Sequence, residues 1–346
     1  RVSIRFEHRC RGVDFDRSML VFAGPDGAEH EAEFGVLFAA DGAGSDIREA
    51  MLPRNGGSED IAPLGHGYKE LTLPPGADGG FQLDPKALHI WPRGEFMLIA
   101  LANPEGDFTV TLFAPMTASD GGGVDSFDEL RSVEAIRAFF GSEFPDFVPM
   151  VPDLVEQFLD NPVGSLATAR TVGWSLDDRA VLVGDAAHAI VPFHGQGMNL
   201  AMESARALSY LLAAHPTDIE RAFREFERQR KPNADAIADM ALDNYIEMRS
   251  SVVDPEHLLR REVALELGRR HPDRVSPRYN MVMFSTMPYA EAQARAARQA
   301  AVITELIDGR TSIDEVDFAH AAELVSELDP LPALDPLAVP DALSVT

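Results

Sequence analysis

Apolar and polar positions alternate in short runs along the first forty residues. In "RVSIRFEH" Val2, Ile4 and Phe6 fall on one side of an extended chain, and "RGVDFD", "MLVFAG" and "AEHEAEFGVLFAA" repeat the pattern around the turn "GPDGA". A period of two predicts a β-meander over residues 1 to 40. The last run breaks at an Asp-Gly pair in "LFAADGAGSDIREAML" and continues as a short helix. Residues 65 to 115 form a second strand-rich block: "GHGYKELTLP", "ALHIWP", "FMLIALAN" and "FTVTLFAP". Here parity is informative, because successive side chains of a strand point to opposite faces. Met97, Ile99 and Leu101 share one face and Phe96, Leu98 and Ala100 the other; Phe108, Val110 and Leu112 oppose Thr109, Thr111 and Phe113. A sheet apolar on both faces needs a cover on both, one of them the core and the other a candidate pocket. "MTASDGGGVDSFDE" has a loop composition, and the helical period returns near residue 126. It dominates from about 198 to 325, and the Pro-rich, acidic end from 326 to 346 is expected to be disordered.

Composition narrows the function classes. Acidic residues outnumber basic ones 56 to 30, a net charge of −26 that repels nucleic acid and anionic membrane surfaces. The one cysteine, Cys10, excludes an intrachain disulfide and suits a reducing cytoplasm. No apolar run approaches the roughly 20 residues that span a bilayer. No His/Cys spacing suggests a metal, and neither a phosphate-binding loop nor a G-x-S-x-G elbow is present. The chain opens with Arg inside an apparent strand, which is expected of a fragment or a processed form.

Two turns carry chemistry. In "VLVGDAAHAIVPFHGQGMNLAMESARALSYLL" an apolar strand ends at Gly184-Asp185, and a helix opens on Gly195, Gly197 and Asn199. Glycines leave backbone amides unobstructed, and a helix N-terminus favours a phosphate or an electron-rich carbonyl. A carboxylate just before it can accept from ribose or ribityl hydroxyls, which points to a nucleotide cofactor. Taken alone, either turn also reads as a tight turn with a capping Asp. The second piece, Asp41-Gly42 in "AADGAGSDIR", sits after a strand in the same way.

Together these segments resemble the two downstream FAD motifs of the FAD-dependent aromatic-ring hydroxylases. "HGYKEL", "LHIWPRGEFMLIAL", "TLFAP", "GDAAHAIVPFHGQGMN", "KPNADAIADMALDNYIEMR" and "HPDRVSPRYNMV" are similar, in this order, to the kynurenine 3-monooxygenase branch of that family, in its soluble bacterial form. The family's N-terminal βαβ unit with Gly-x-Gly-x-x-Gly has no counterpart here, nor do its Arg and Tyr that hold the substrate carboxylate. "LAMES" stands where many members have an acidic pair, so Glu203 is given no catalytic part.

The resemblance implies a mixed α/β fold: an incomplete Rossmann-like FAD domain, a β-sheet substrate domain and C-terminal helices. Its expected divisions are 1–60 (FAD domain), 61–165 (substrate sheet), 166–215 (return to the FAD domain), 216–325 (helical region over the active site) and 326–346 (tail). FAD would be held by Asp41, Gly42, Gly184, Asp185, Gly195, Gly197, Met198 and Asn199. The aromatic ring of L-kynurenine would lie against Leu88, Ile99, Leu101, Phe113 and Met248, with Pro192, Phe193 and His194 at the flavin edge. Asn244 and Tyr279 would take its amino-acid end. From the residues alone, Ile237, Ala241, Asn244 and Met248 form one helical stripe, in which Asn244 reads equally as a satisfied core amide. Tyr279 reads as a packed aromatic, His194 as a pocket wall and His188 as a packed or turn histidine.

By the same resemblance NADPH reduces the flavin, O2 adds at C4a, and hydroxyl is delivered ortho to the aniline nitrogen, giving 3-hydroxy-L-kynurenine. The apolar wall would exclude water. Two other readings stand beside it: a hydroxylase of phenols or benzoates, which needs no Asn244–Tyr279 pair, and an inactive fragment. A cytoplasmic location and a homodimer are compatible with the sequence, and the isolated chain is expected to be poorly soluble through uncovered apolar edges.

Overall fold

The computed structural model describes residues 2–118, 126–250 and 255–332. Strands β1 (Arg9–Asp14), β2 (Met19–Ala23) and β3 (Glu29–Glu33) form an antiparallel sheet in that order. The expected strand ahead of them does not form. Val2, Ile4 and Phe6 are 92%, 71% and 80% exposed, because alternation produces a strand only where a partner can bury one face. The expected run at 28–40 also divides. β3 stays in the meander, whereas β4 (Leu37–Ala39) leaves it for a second sheet. Helix α1 (Asp46–Asn55) follows, with Ser45 Oγ accepting from the Arg48 N–H at its start and Gly56 in the left-handed region at its end.

The longest strand, β5 (Ser58–Leu73), leads to β6 (His89–Pro92), β7 (Met97–Ala102) and β8 (Phe108–Pro115). Helices α2 (Val133–Glu143) and α3 (Leu154–Asp160) precede β9 (Gly164–Val172), and these strands make a five-stranded sheet in the order β6-β7-β8-β5-β9. β10 (Ser175–Leu176) and β11 (Ala180–Leu182) complete the second sheet, β10-β11-β4, in which β11 runs parallel to β4. The rest is helical: α4 (Asp185–His188), α5 (Gly197–Ala214), α6 (Ile219–Ser250), α7 (Pro255–Arg270), α8 (Arg278–Met283), α9 (Tyr289–Ile307) and α10 (Phe318–Ser326). Part of the expected loop, 119–125, and the end of the expected tail, 333–346, lie outside the described residues.

The chain divides into two compact units. One comprises residues up to 61, 168–243 and the chain from 255 onward; the other comprises 62–167 and the stretch from 244 that ends α6. The first unit buries Phe15, Met51, Trp174, Leu200, Phe223 and Phe226 around the β10-β11-β4 sheet, and α7, α9 and α10 share a separate apolar cluster. Glu227 of α6 pins the turn between β9 and β10, accepting from the Gly173 and Trp174 N–H groups at 2.8 and 2.9 Å. Beside β4, at the edge of its sheet, an apolar groove of about 310 Å³ is lined by Phe38, Ala40, Val183, Leu208 and Leu212. Phe38 is 48% exposed.

In the second unit one face of the sheet packs on aromatic side chains. Phe96, Leu98, Ala100, Phe108, Val110 and Leu112 meet Phe139, Phe140, Phe144 and Phe147 of α2 and the segment after it. Lys69 of β5 is buried at the end of α3, donating to the Phe158 and Asn161 carbonyls at 2.5 and 2.6 Å with its ammonium 4.4 Å from the Phe158 ring centre. It satisfies carbonyls that a helix end leaves unpaired.

Candidate functional site

β4 and β11 lie side by side in parallel, with Leu182 opposite Ala39, and Val183 N–H donates to the Ala39 carbonyl at 2.8 Å. The Asp41-Gly42 and Gly184-Asp185 turns therefore leave the same C-terminal edge of one sheet. That edge is where open α/β sheets bind ligands.

Asp41 is tied into its own turn. One carboxylate oxygen accepts from Ser45 Oγ at 2.6 Å and the other from Ile47 N–H at 3.3 Å. Arg48, only 2% exposed, fastens both turns: Nη2 donates to the Ala43 carbonyl at 2.7 Å and Nη1 to the Ala186 carbonyl at 2.9 Å. Its Nε pairs with Glu59 at 2.5 Å. Sequence reasoning overlooked Arg48, because an Arg in "DIREA" reads as a surface helix charge. The missed signal was its place three residues after the capping Ser45, in the helix that follows Asp41-Gly42.

Gly184 has φ 63° and ψ −142°, a backbone region only glycine enters readily, and a β-carbon there would stand 3.5 Å from Ala201 Cβ. Asp185 is open to solvent and takes no hydrogen bond from a described residue; partial desolvation raises its carboxyl above the usual range. At α5 no side chain caps the N-terminus and no acidic residue lies in the first turn. Gln196, at the capping position, is engaged sideways. Its Oε1 accepts from Asn199 at 3.0 Å and from the Tyr289 hydroxyl at 2.8 Å, and its Nε2 meets Met283 Sδ at 3.0 Å.

Gly197 shows how these turns fit a cofactor. Its φ is ordinary, and a β-carbon would meet no protein atom within 4 Å. Among the described residues nothing requires glycine there, and the bare position leaves room for a ligand to approach the backbone. Met198 beside it is 72% exposed. Uncapped amides, a positive helix end and a free carboxylate at Asp185 match the phosphate, carbonyl and hydroxyl groups of a flavin nucleotide.

His194 follows in the same segment. It is 3% exposed and stacks on Tyr279 of α8 at 5.7 Å and 19° between planes. Burial first, then the Arg278 charge, pushes its imidazole down to about 4. Phe193 is buried, Pro192 is exposed, and Tyr279, 45% exposed, meets Phe284 edge-on at 6.3 Å.

The remaining candidates belong to the second unit. Register places Met97 opposite Phe113, Ile99 opposite Thr111 and Ile90, and Leu101 opposite Thr109, so Ile99, Leu101 and Phe113 share the face turned away from the phenylalanine core. Leu88 precedes β6 and is 45% exposed, Leu101 is 49% exposed and Phe113 is buried. At the end of α6 Tyr245 packs edge-on against His66 of β5, ring centres 5.4 Å apart. On the same stretch Asn244 Nδ2 lies 3.4 Å from Met248 Sδ.

Comparison with known proteins decides the lineage. Residues 163–241 match the FAD binding domain family. A kynurenine 3-monooxygenase of Stenotrophomonas maltophilia (strain K279a) is 47% identical over 319 residues, 92% of this chain and 69% of the relative. One from Myxococcus xanthus (strain DK1622) is 45% identical over 332 residues, 95% of this chain and 70% of the relative. The chain belongs to the kynurenine 3-monooxygenase family. As a member it is a flavoprotein monooxygenase with FAD as cofactor. Solved structures agree in fold: 2-methyl-3-hydroxypyridine-5-carboxylic acid oxygenase in its tetrameric form (TM-score 0.54, 23% identity, 73% of this chain and 64% of that one) and Klebsiella pneumoniae HpxO complexed with FAD and uric acid (TM-score 0.52, 19% identity, 76% and 64%). Among the described residues no helix is long and apolar enough to cross a membrane.

Proposed function

We propose that this chain hydroxylates L-kynurenine to 3-hydroxy-L-kynurenine, using NADPH and O2, and works in the cytoplasm. Bound FAD supplies the redox and oxygen-transfer chemistry. The protein's part is to hold the substrate, aim its ring and keep water out. Ile99, Leu101 and Phe113 offer the ring an apolar face, with Leu88 and Met248 as further wall residues. Each methylene they bury contributes about 0.8 kcal/mol, so the wall discriminates by shape and dryness. Asn244 and Tyr279 are assigned to the amino-acid end, Asn244 through its amide and Tyr279 through its hydroxyl. Pro192, Phe193 and His194 are assigned to the flavin edge. His194 is held neutral by burial, so it serves as a wall and not as a standing positive charge.

The observation that carries this reading is the single amide, Asn244, in a helical stripe otherwise made of Ile237, Ala241 and Met248, whose neighbour Tyr245 packs on the sheet. A hydroxylase of simple phenols has no amino-acid group for that amide to meet. Replacing Asn244 with Ala should raise the KM for L-kynurenine roughly tenfold or more, the cost of a hydrogen bond to a charged group, while the affinity for FAD stays within about twofold. An unchanged KM in N244A would overturn the assignment of Asn244 to the amino-acid end, and an absence of L-kynurenine turnover in the parent would favour the phenol or benzoate reading.

A further inference from the structure

Among the buried polar side chains of the first unit outside the cofactor and substrate sets, His188, Ser204 and Arg230, at 4%, 0% and 8% exposure, lie together. They come from α4, α5 and α6. Arg230 Nε donates to Ser204 Oγ at 3.3 Å, and its Nη2 donates to Glu203 at 2.9 Å. A guanidinium has no lone pair to offer, so the Ser204 oxygen is the acceptor in that contact. The same hydroxyl lies 3.3 Å from His188 Nε2, a hydrogen bond in which one group donates and the other accepts. The other ring nitrogen, Nδ1, has no hydrogen-bond partner among the described residues. The Trp174 ring covers the imidazole at 5.2 Å.

That arrangement leaves one buried ring nitrogen unsatisfied, a burden of about 1–3 kcal/mol that a phenyl ring of similar shape would not carry. What an imidazole offers and a phenyl ring lacks is a hydrogen-bonding nitrogen at Nε2. His188 closes α4, where its N–H and that of Ala187 donate to the Gly184 carbonyl at 3.0 and 2.9 Å. Ser204 lies on α5, which opens on Gly197. The contact between them is a side-chain tie joining the element that begins at Gly184-Asp185 to the one that begins at Gly195–Asn199.

We propose that His188 is a positioning residue for the cofactor turns: its Nε2, hydrogen-bonded to Ser204 Oγ, locks α4 against α5 so that both turns keep one relative placement. The inference rests on the FAD reading for its purpose and on α4–α5 geometry for its substance. A histidine that only fills space would be replaced equally well by any side chain of its volume.

Two substitutions in the 346-residue chain separate the cases. H188Q keeps a hydrogen-bonding amide near the Nε2 position, and H188F keeps the shape without it. Two quantities are read: amide hydrogen exchange of residues 185–188 without added FAD, and the FAD dissociation constant from flavin fluorescence. H188F should speed exchange and raise the dissociation constant, each about tenfold, the scale of one hydrogen bond. H188Q should stay within about threefold of the parent, S204A should match H188F, and H188F/S204A should add nothing further. Equal damage from H188Q and H188F, or additive losses in the double variant, overturns the proposal. A parent chain that binds no FAD counts against the cofactor reading alone, because the exchange pattern still decides the role of His188.

Discussion

Two histidines of the first unit, His188 and His194, are both pushed down to about 4 from 6.5 by burial. The charged groups acting on His188 are Arg230, which opposes protonation, and Asp235, which favours it; for His194 they are Arg278 and Asp243 in the same senses. A histidine whose folded value lies below its unfolded one stabilises the fold fully above about pH 6.5. That contribution is lost as pH falls from there towards about 4, at roughly 1.4 kcal/mol per pH unit for each group. Denaturant midpoints should therefore drop across this window, and H188Q should lose one histidine's share of the slope. A midpoint independent of pH between 6.5 and 4 would contradict the burial account. At this scale the sequence was legible where local spacing sets a contact, as with Asn244 and Met248, which meet at 3.4 Å on one helical stripe. It was not legible for Arg48, whose partner at Ala186 is 138 positions away. Nor did it reveal that Gln196 joins Tyr289, for neither residue type nor spacing announces a contact made by tertiary packing.

Among the elements, the strands of the second unit were read well because each alternation there meets a partner. The parity of Phe96, Leu98 and Ala100 against Ile99 and Leu101 reappears as the core and the outer face of the sheet. "RVSIRFEH" shows the converse, an alternating run left extended and exposed because no strand lies beside it. The break between β3 and β4 was hidden for a related reason. Phe34–Val36 is apolar enough to continue a strand, and only the parallel pairing of β4 with β11, far along the chain, draws it away. Lys69 offers a test of how the elements of the second unit are joined. Its ammonium caps the end of α3 from β5, so Lys69→Met would leave the Phe158 and Asn161 carbonyls buried and unpaired. The expected loss is about 1–3 kcal/mol in chemical denaturation. An unchanged midpoint in K69M would mean that water replaces the ammonium there.

Across the whole chain, the order of motifs gave the family before any coordinates did, because the resemblance runs through Asp41-Gly42, Gly184-Asp185 and the segments between and after them. Structure adds that two turns so distant in sequence lie side by side: β4 and β11 are parallel neighbours, and Arg48 holds both turns. The uncovered groove at Phe38 and the 69% to 70% of each relative that the chain spans make cofactor-dependent turnover the central question. The most direct measurement is NADPH oxidation by the FAD-supplemented chain with and without L-kynurenine, with the aromatic product quantified. The account predicts oxidation that rises severalfold on adding L-kynurenine, with 3-hydroxy-L-kynurenine formed in proportion to the NADPH consumed. Flavin binding with oxidation indifferent to L-kynurenine and no hydroxylated product would contradict it.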